Sequence, residues 1–322
     1  MRDHGGDIDR AARAWGGTDW IDLSTGINRR PYPVPDLSPA HWHALPTTSA
    51  FDALVDTARK TYGLPEAAAC LPLAGAQAAI QLIPRLRPPG RVGIVSPTYN
   101  EHAAAFAREG WQVRDIDAPQ PGFDALVVVN PNNPDGRCHD PEPLAALAGD
   151  CLVVIDESFG DVAPGLSAAR CLGRASLLVL RSFGKFYGLA GVRLGFACGA
   201  AADIRALAEA AGPWAVSGPA LEIGRAALAD MAWADATRAR LRAEAPRLDQ
   251  AAATAGWRVV GGTDLFRLYE TPDAAAAQDA LARGGIWSRA FPWSARWLRL
   301  GLPGSEVEWV RTEAALAAIR GT

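Results

Sequence analysis

Four short apolar runs, each ending in a polar, loop-forming segment, constrain this chain more than any other feature. They span residues 91–97 (RVGIVSP), 125–131 (ALVVVNP), 151–158 (CLVVIDES) and 177–183 (LLVLRSF). Each is rich in valine, leucine or isoleucine and lacks period-two alternation, the pattern of a strand buried on both faces. Helix-like stretches lie between them at 102–109, 142–148 and 166–172. Doubly buried strands alternating with short helices predict an α/β fold built on a large, mostly parallel sheet. In such sheets ligands bind at the carboxyl ends of the strands. Those ends here carry Pro97-Thr98-Tyr99-Asn100, Asn130-Pro131-Asn132-Asn133-Pro134, Asp156-Glu157-Ser158 and Ser182-Phe183-Gly184-Lys185. Four polar strand ends together point to a site more firmly than any one of them.

The pattern changes after about residue 215, where residues 216–322 read as a small α+β domain. It should hold a long helix at 220–253, then a hairpin whose arms, 257–260 and 265–269, flank Gly261-Gly262-Thr263-Asp264. A helix at 274–283, strands at 286–289 and 297–300 and a last helix at 306–319 complete it. Residues 1–45, with Pro31, Pro33, Pro35 and Pro39, read as an arm that joins the small domain and carries one helix near 8–15. Residues 46–215 form the large domain, with 322 residues sufficing for both cores.

A net charge of −3 gives no reason to expect nucleic acid or an anionic membrane as a partner. No apolar run is long enough to span a bilayer and the N-terminal residues are polar, so a cytoplasmic location is expected. Cys70, Cys138, Cys151, Cys171 and Cys198 are scattered and odd in number, as buried thiols of a reducing compartment are. The five histidines show no metal-binding spacing, so no metal is expected.

Lys185 carries the chemistry. Lys60 is the only other lysine, and arginine supplies the remaining positive charge. A lysine kept where arginine is the rule suggests amine chemistry, because an amine can form a Schiff base and a guanidinium cannot. Pyridoxal 5'-phosphate is the matching carbonyl partner. It needs an acid at its ring nitrogen, an anion cradle for its phosphate, a ring to stack on and a donor to its 3-oxygen. Asp156 ends a buried strand, where a carboxylate is costly unless paired; a helix cap is the alternative reading. Gly75-Ala76-Gln77 opens an apolar helix at 76–86 whose free amides suit phosphate, or is an ordinary glycine turn. Tyr99 can stack on a ring, although aromatics after strands are commonplace. Asn133 stands in a rigid turn between two Asn-Pro steps that can aim an amide. Ser182 and Arg193 can complete the cradle.

The ordered set Gly75-Ala76-Gln77, Tyr99, Asn130-Pro131-x-Asn133-Pro134-x-Gly136, Asp156-Glu157, Ser182-x-x-Lys185 and Arg193 resembles the fold-type I pyridoxal-phosphate aminotransferase superfamily over nearly the whole chain. The resemblance implies that Lys185 forms the Schiff base and Asp156 pairs with the pyridine nitrogen. It further implies that Asn133 bonds the 3-oxygen, that Tyr99 stacks on the ring, and that Gly75, Ala76, Gln77, Ser182 and Arg193 hold the phosphate. Tyr62 resembles a tyrosine that reaches a neighbouring subunit's phosphate, which implies a homodimer. The family often has tyrosine three residues after the aspartate; Phe159 stands here, so one hydroxyl donor to the 3-oxygen is missing.

Within the superfamily, His4-Gly5-Gly6-Asp7-Ile8 and Asp22-Leu23-Ser24-Thr25-Gly26-Ile27-Asn28 are similar to the threonine-phosphate decarboxylases of cobalamin biosynthesis, a branch close to the histidinol-phosphate aminotransferases. By that similarity the substrate is L-threonine O-3-phosphate and the product (R)-1-amino-2-propanol O-2-phosphate. Arg299 matches a carboxylate-binding arginine; His4, Gly5, Gly6, Gly26, Asn28 and Arg289 are the further substrate contacts. Arg29-Arg30 replaces the proline usual after Asn28. An aminotransferase acting on histidinol phosphate is the alternative, and a non-catalytic binding domain on the same scaffold a third reading.

Overall fold

A computed structural model describes residues 4–149, 151–173 and 176–319. The chain divides into two compact units. One comprises Tyr32–Asn133 and Cys138–Ala232; the other comprises Met1–Pro31, Pro134–Arg137 and Trp233–Thr322. Residues 1–3 and 320–322, at the outer ends of the expected arm and small domain, lie outside the described residues.

The first unit is built on a seven-stranded sheet, in the spatial order Ala68–Leu73, Gly195–Ala200, Leu177–Ser182, Leu152–Asp156, Ala125–Val129, Arg91–Val95 and Gln112–Ile116. Only Gly195–Ala200 runs against its neighbours; the other pairings are parallel. The four apolar runs are its central strands, and Ala125–Val129 and Leu152–Asp156 are buried at every residue. Ile94, Val127, Val154, Leu178 and Leu180 pack with Ile80, Ile83 and Phe106 from the helices in one apolar cluster.

Three expected helices differ. The helix opened by Gly75 stops at Leu82 and continues as a 3-10 turn, Ile83–Leu86, because Pro84 has no amide proton to donate. The helix expected at 166–172 is two 3-10 turns, Pro164–Leu166 and Ala168–Cys171. Between them Ser167 caps the amide of Ala169 at 3.1 Å and Glu157 takes the amide of Ala168 at 2.6 Å, which diverts both from helical pairing. The long helix expected at 220–253 is two helices, Gly218–Ala229 and Met231–Thr254, broken at Asp230. Gly218–Ala229 belongs to the sheet unit, where an added Cβ on Gly224 would touch Leu54 and Leu194. Residues 32–45 belong there too, tied by the Tyr32 amide to the Tyr187 carbonyl at 2.9 Å. The divisions read from composition, at 45/46 and 215/216, both lie inside this unit.

The second unit holds an antiparallel sheet in the order Arg289–Phe291, Ser294–Gly301, Phe266–Glu270 and Arg258–Thr263. The single strand expected at 286–289 splits at Ser288. Ile286–Trp287 leaves that sheet to pair in parallel with Ile21–Asp22. Helix Ile8–Trp15 is capped by Asp7 and docks through Ala11 against Ala282 and Trp287, with Trp15 Nε1 donating to Asp279 at 2.6 Å. Arg29 makes a two-pronged bond to Glu308 (2.8 and 2.6 Å), so the arginines in place of proline fasten this segment. Among the described residues no helix is long and apolar enough to cross a membrane.

Candidate active site

The strand ends of the sheet unit deliver their polar residues to one pocket. Strand Ala68–Leu73 leads to Gly75, which adopts a φ of +80°. An added Cβ there would stand 2.5 Å from an Arg193 nitrogen, and one on Gly195 would stand 2.2 Å from the Ala76 amide. Glycine at both positions lets the first amides of helix Ala76–Leu82 and the Arg193 guanidinium converge. Arg193 itself is left-handed (φ +56°) at the end of a 3-10 turn, held by a 3.0 Å bond to the Ala190 carbonyl. Ser182, the last residue of its strand, lines the same end of the pocket. Amides at a helix start beside a guanidinium and a hydroxyl form a cradle for a phosphate dianion.

Tyr99 precedes helix Asn100–Arg108 and fixes its ring by donating to Gln77 Oε1 at 3.2 Å. Gln77 in turn donates to Glu101 at 3.1 Å. In the Asn-Pro turn, Asn130 exchanges bonds with the backbone of His139 (3.0 and 2.9 Å), and Asn132 bonds the Pro97 carbonyl and Thr98 (3.0 and 2.6 Å). Those two side chains lock the turn and leave Asn133 lining the pocket.

Asp156 also lines it, although it is only 2% exposed. One carboxylate oxygen accepts from the Ser158 amide at 2.9 Å and hydroxyl at 2.5 Å; the other meets His102 Nε2 at 2.8 Å. Burial pushes this carboxyl up, but the bonds from His102 and Ser158 outweigh it and hold the group below the usual carboxylate range. It stays an anion inside the protein. Lys185 sits in the short helix Phe183–Phe186, with Nζ 5.5 Å from the Phe159 ring centre. Amine, buried acid, aromatic ring, aimed amide and anion cradle are the groups pyridoxal phosphate demands, and the two glycines leave the close approach it needs.

His102 and Ser158 escaped the sequence reading. His102 lies three residues after Tyr99, in the first turn of the helix that Tyr99 caps. That spacing was the available signal. Tyr62 is not brought to the pocket. It caps the end of helix Thr48–Thr61 and turns inward, its ring under the Arg181 guanidinium (4.4 Å) and edge-on to Phe196 (5.6 Å). Its hydroxyl is buried within its own chain.

The expected substrate residues lie in the second unit. Arg289 and Arg299 are directly opposed across an antiparallel pair and therefore share one face. Arg299 is 5% exposed and donates to the Ser24 carbonyl. Burial, and then Arg289, pull its pKa down to about 9 against the pull of Asp22. Gly5 lies so close that an added Cβ would be 2.5 Å from that carbonyl oxygen, and the Gly6 amide donates to Ser24 Oγ at 2.8 Å. Gly26 approaches Gly301, and His4 lines a cavity with Arg10 and Arg289. Asn28 is committed internally through its side-chain oxygen, which accepts from the Arg30 amide at 3.0 Å and Arg240 at 2.9 Å.

A family model for aminotransferases of class I and II matches residues 19–312. The chain is 44% identical to a threonine-phosphate decarboxylase of Pseudomonas aeruginosa, over 99% of this chain and 98% of that protein. It is 42% identical to one of a Sinorhizobium species, over 93% and 92%. Among solved structures it superposes on histidinol-phosphate aminotransferase from Sinorhizobium meliloti in complex with pyridoxal-5'-phosphate, with a TM-score of 0.85 and 18% identity over 97% and 94% of the two chains. The L-threonine-O-3-phosphate decarboxylase of Porphyromonas gingivalis gives 0.73 and 20% over 93% and 99%. Those two likenesses show the fold; the sequence matches, joined to the pocket, show the lineage. This chain belongs to the pyridoxal-phosphate-dependent class I and II aminotransferase family, alongside the threonine-phosphate decarboxylases.

Proposed function

We propose that this enzyme decarboxylates L-threonine O-3-phosphate to (R)-1-amino-2-propanol O-2-phosphate, in cobalamin biosynthesis and in the cytoplasm. The observation that carries this reading is the opposed pair Arg289 and Arg299. Like charges facing each other across a strand pair are unfavourable, and one of them is buried. Such a pair suits a ligand with two anionic ends, and threonine phosphate has them in its carboxylate and phosphate. Glutamate and 2-oxoglutarate, the partners of an aminotransferase, are dianions too, and the choice between the two rests on the likeness to two threonine-phosphate decarboxylases.

When bound, pyridoxal phosphate supplies an electron sink for the bond that breaks at the substrate's Cα. The protein supplies the rest. Lys185 would hold the cofactor through its amine, and in the same pocket that amine could take or give a proton. Asp156 keeps a proton on the ring nitrogen, and His102 and Ser158 keep Asp156 ionised. Asn133 would bond the 3-oxygen, Tyr99 would stack on the ring, and Gly75, Ala76, Gln77, Ser182 and Arg193 would hold the phosphate. Arg299 would take the substrate carboxylate; Arg289, His4 and Gly5 would take its phosphate, with Gly6 joining them once its amide leaves Ser24 Oγ. Gly26 and Asn28 are the further substrate contacts, with the Asn28 oxygen also accepting from Arg30 and Arg240. Val34, Trp42, Leu45 and Trp214 are 51–70% exposed on the sheet unit, and this apolar surface supports a homodimer.

Carbon dioxide release from L-threonine O-3-phosphate, with no keto acid present, tests the reading. We expect stoichiometric release and no amino transfer. Transfer to 2-oxoglutarate in place of carbon dioxide release would establish the aminotransferase instead. Arg299→Met should raise KM by about 100-fold, the cost of losing one desolvated ion pair, and leave cofactor binding unchanged. An unchanged KM would remove Arg299 from substrate recognition.

A further inference from the structure

Behind the pocket lies an ion cluster to which the reaction assigns no part. Glu157, Asp161 and Arg181 are each at most 3% exposed. Arg181 donates to Glu157 Oε2 at 2.7 Å through one terminal nitrogen and to Asp161 through the other. The remaining capacity of Glu157 is filled by the Ser167 hydroxyl at 2.6 Å and the Ala168 amide at 2.6 Å. Tyr62 covers the guanidinium, and Gly160 leaves room for it, since an added Cβ would stand 2.9 Å from an Arg181 nitrogen.

Stability alone does not explain this arrangement. Two carboxylates and one guanidinium withdrawn from water cost several kcal/mol each in desolvation, and apolar residues of equal volume often do as well. Placement explains more. Asp156 and Glu157 are consecutive, as are Arg181 and Ser182, and neighbours along a strand face opposite ways. Asp156 and Ser182 line the pocket; Glu157 and Arg181 do not. The two strands are paired at Asp156 and Leu180, and the Glu157 amide extends that pairing to the Leu180 carbonyl at 2.9 Å. The ion pair therefore spans the two strands one residue away from the groups that meet the cofactor. Through Glu157 it also fastens the loop that carries Ser158 and Phe159, both of which line the pocket.

We infer that Glu157, Arg181 and Asp161 form a clamp that sets where Asp156 stands relative to Ser182 and Lys185, with Arg181 as its positioning residue. This rests on the cofactor pocket described above and adds a residue that does not touch the cofactor. The clamp is a fork: one planar guanidinium bridges two carboxylates, a geometry that a lysine ammonium cannot reproduce.

The experiment compares holoenzymes of the wild type, Arg181→Lys, Arg181→Met and the triple variant Glu157→Gln/Asp161→Asn/Arg181→Met. Three quantities are read: thermal stability, the cofactor dissociation constant and the pH midpoint of the bound cofactor's visible absorbance. Arg181→Met should weaken cofactor binding by about 10- to 100-fold, the scale of a small misplacement of reacting groups. Arg181→Lys should fall between it and the wild type. The triple variant removes every buried charge of the cluster, so its stability should recover while its dissociation constant and midpoint stay displaced. Recovery of all three together in the triple variant, or an unmoved midpoint in Arg181→Met or Arg181→Lys, overturns the inference and leaves a purely structural cluster. If Arg181→Met does not fold, Arg181→Lys and the triple variant decide alone. A wild type without a visible band on adding cofactor would instead refute the pocket assignment.

Discussion

Lys185→Ala lowers carbon dioxide release by about 10⁶-fold, the scale on which loss of a covalent nucleophile acts, and removes the Schiff-base absorbance of the bound cofactor. Lys185→Arg loses as much, because a guanidinium keeps the charge without the free amine. The expectation rests on where the chain places the residue. Strand Leu177–Ser182 ends at the pocket and passes directly into the short helix that carries Lys185. Gly184 is required at that turn, since an added Cβ would stand 2.7 Å from Ala190 Cα. The side chain then extends past Phe159 into the pocket that Asp156 lines. Cofactor should still bind Lys185→Ala non-covalently through the phosphate cradle, so an equilibrium titration separates lost chemistry from lost binding. Activity of Lys185→Arg within about 100-fold of wild type, too little for a lost covalent step, would show that the amine is not the group that joins the cofactor.

How much of this was legible in the sequence follows from burial. The four central strands are apolar at nearly every position, so their pattern survives without any tertiary information. The pocket residues stand at their ends, where polarity begins abruptly. Other elements carried no such mark. Gly195–Ala200 is fully paired between two strands but composed largely of glycine and alanine, which have little strand propensity of their own. Gln112–Ile116 is the sheet's edge and is mostly exposed, so nothing apolar announces it. The break at Asp230 was invisible because alanine-rich sequence on both sides favours helix equally.

The site residues divide in the same way. Lys185, Asp156 and Asn133 were readable because each is an unusual residue in a constrained position. The surroundings of Tyr62 were not legible, because they depend on which way the chain turns at the end of helix Thr48–Thr61, and that is set by packing against Arg181 and Phe196. Arg181 itself was read only as part of a strand, although a charge inside an apolar run must find partners. Its partners, Glu157 and Asp161, are 24 and 20 residues away in sequence, and only the pairing of two strands brings them together.

Asp156→Asn lowers kcat by about 10³-fold, the loss expected when one preorganised electrostatic group is removed from a desolvated site. The substitution keeps shape. An asparagine oxygen can still accept from the Ser158 amide and hydroxyl, so the loop need not move. What disappears is the charge, and with it the force that keeps a proton on the ring nitrogen. Cofactor affinity should fall far less than kcat, because the phosphate cradle is untouched. The pH dependence follows from the direction of the Asp156 shift. Its carboxyl is held below the usual range in the folded protein, so the stability it contributes is complete above the ordinary carboxylate value. That stability is lost only as the pH falls through the lowered value. From about pH 5 to 8 the group therefore stays ionised, and the wild-type kcat profile should show no acid limb from Asp156 in that window. An acid limb that vanishes in Asp156→Asn would show the carboxyl titrating where its bonds to His102 and Ser158 should prevent it. A kcat within about tenfold of wild type, worth a single ordinary hydrogen bond, would mean that the ring nitrogen does not depend on this anion.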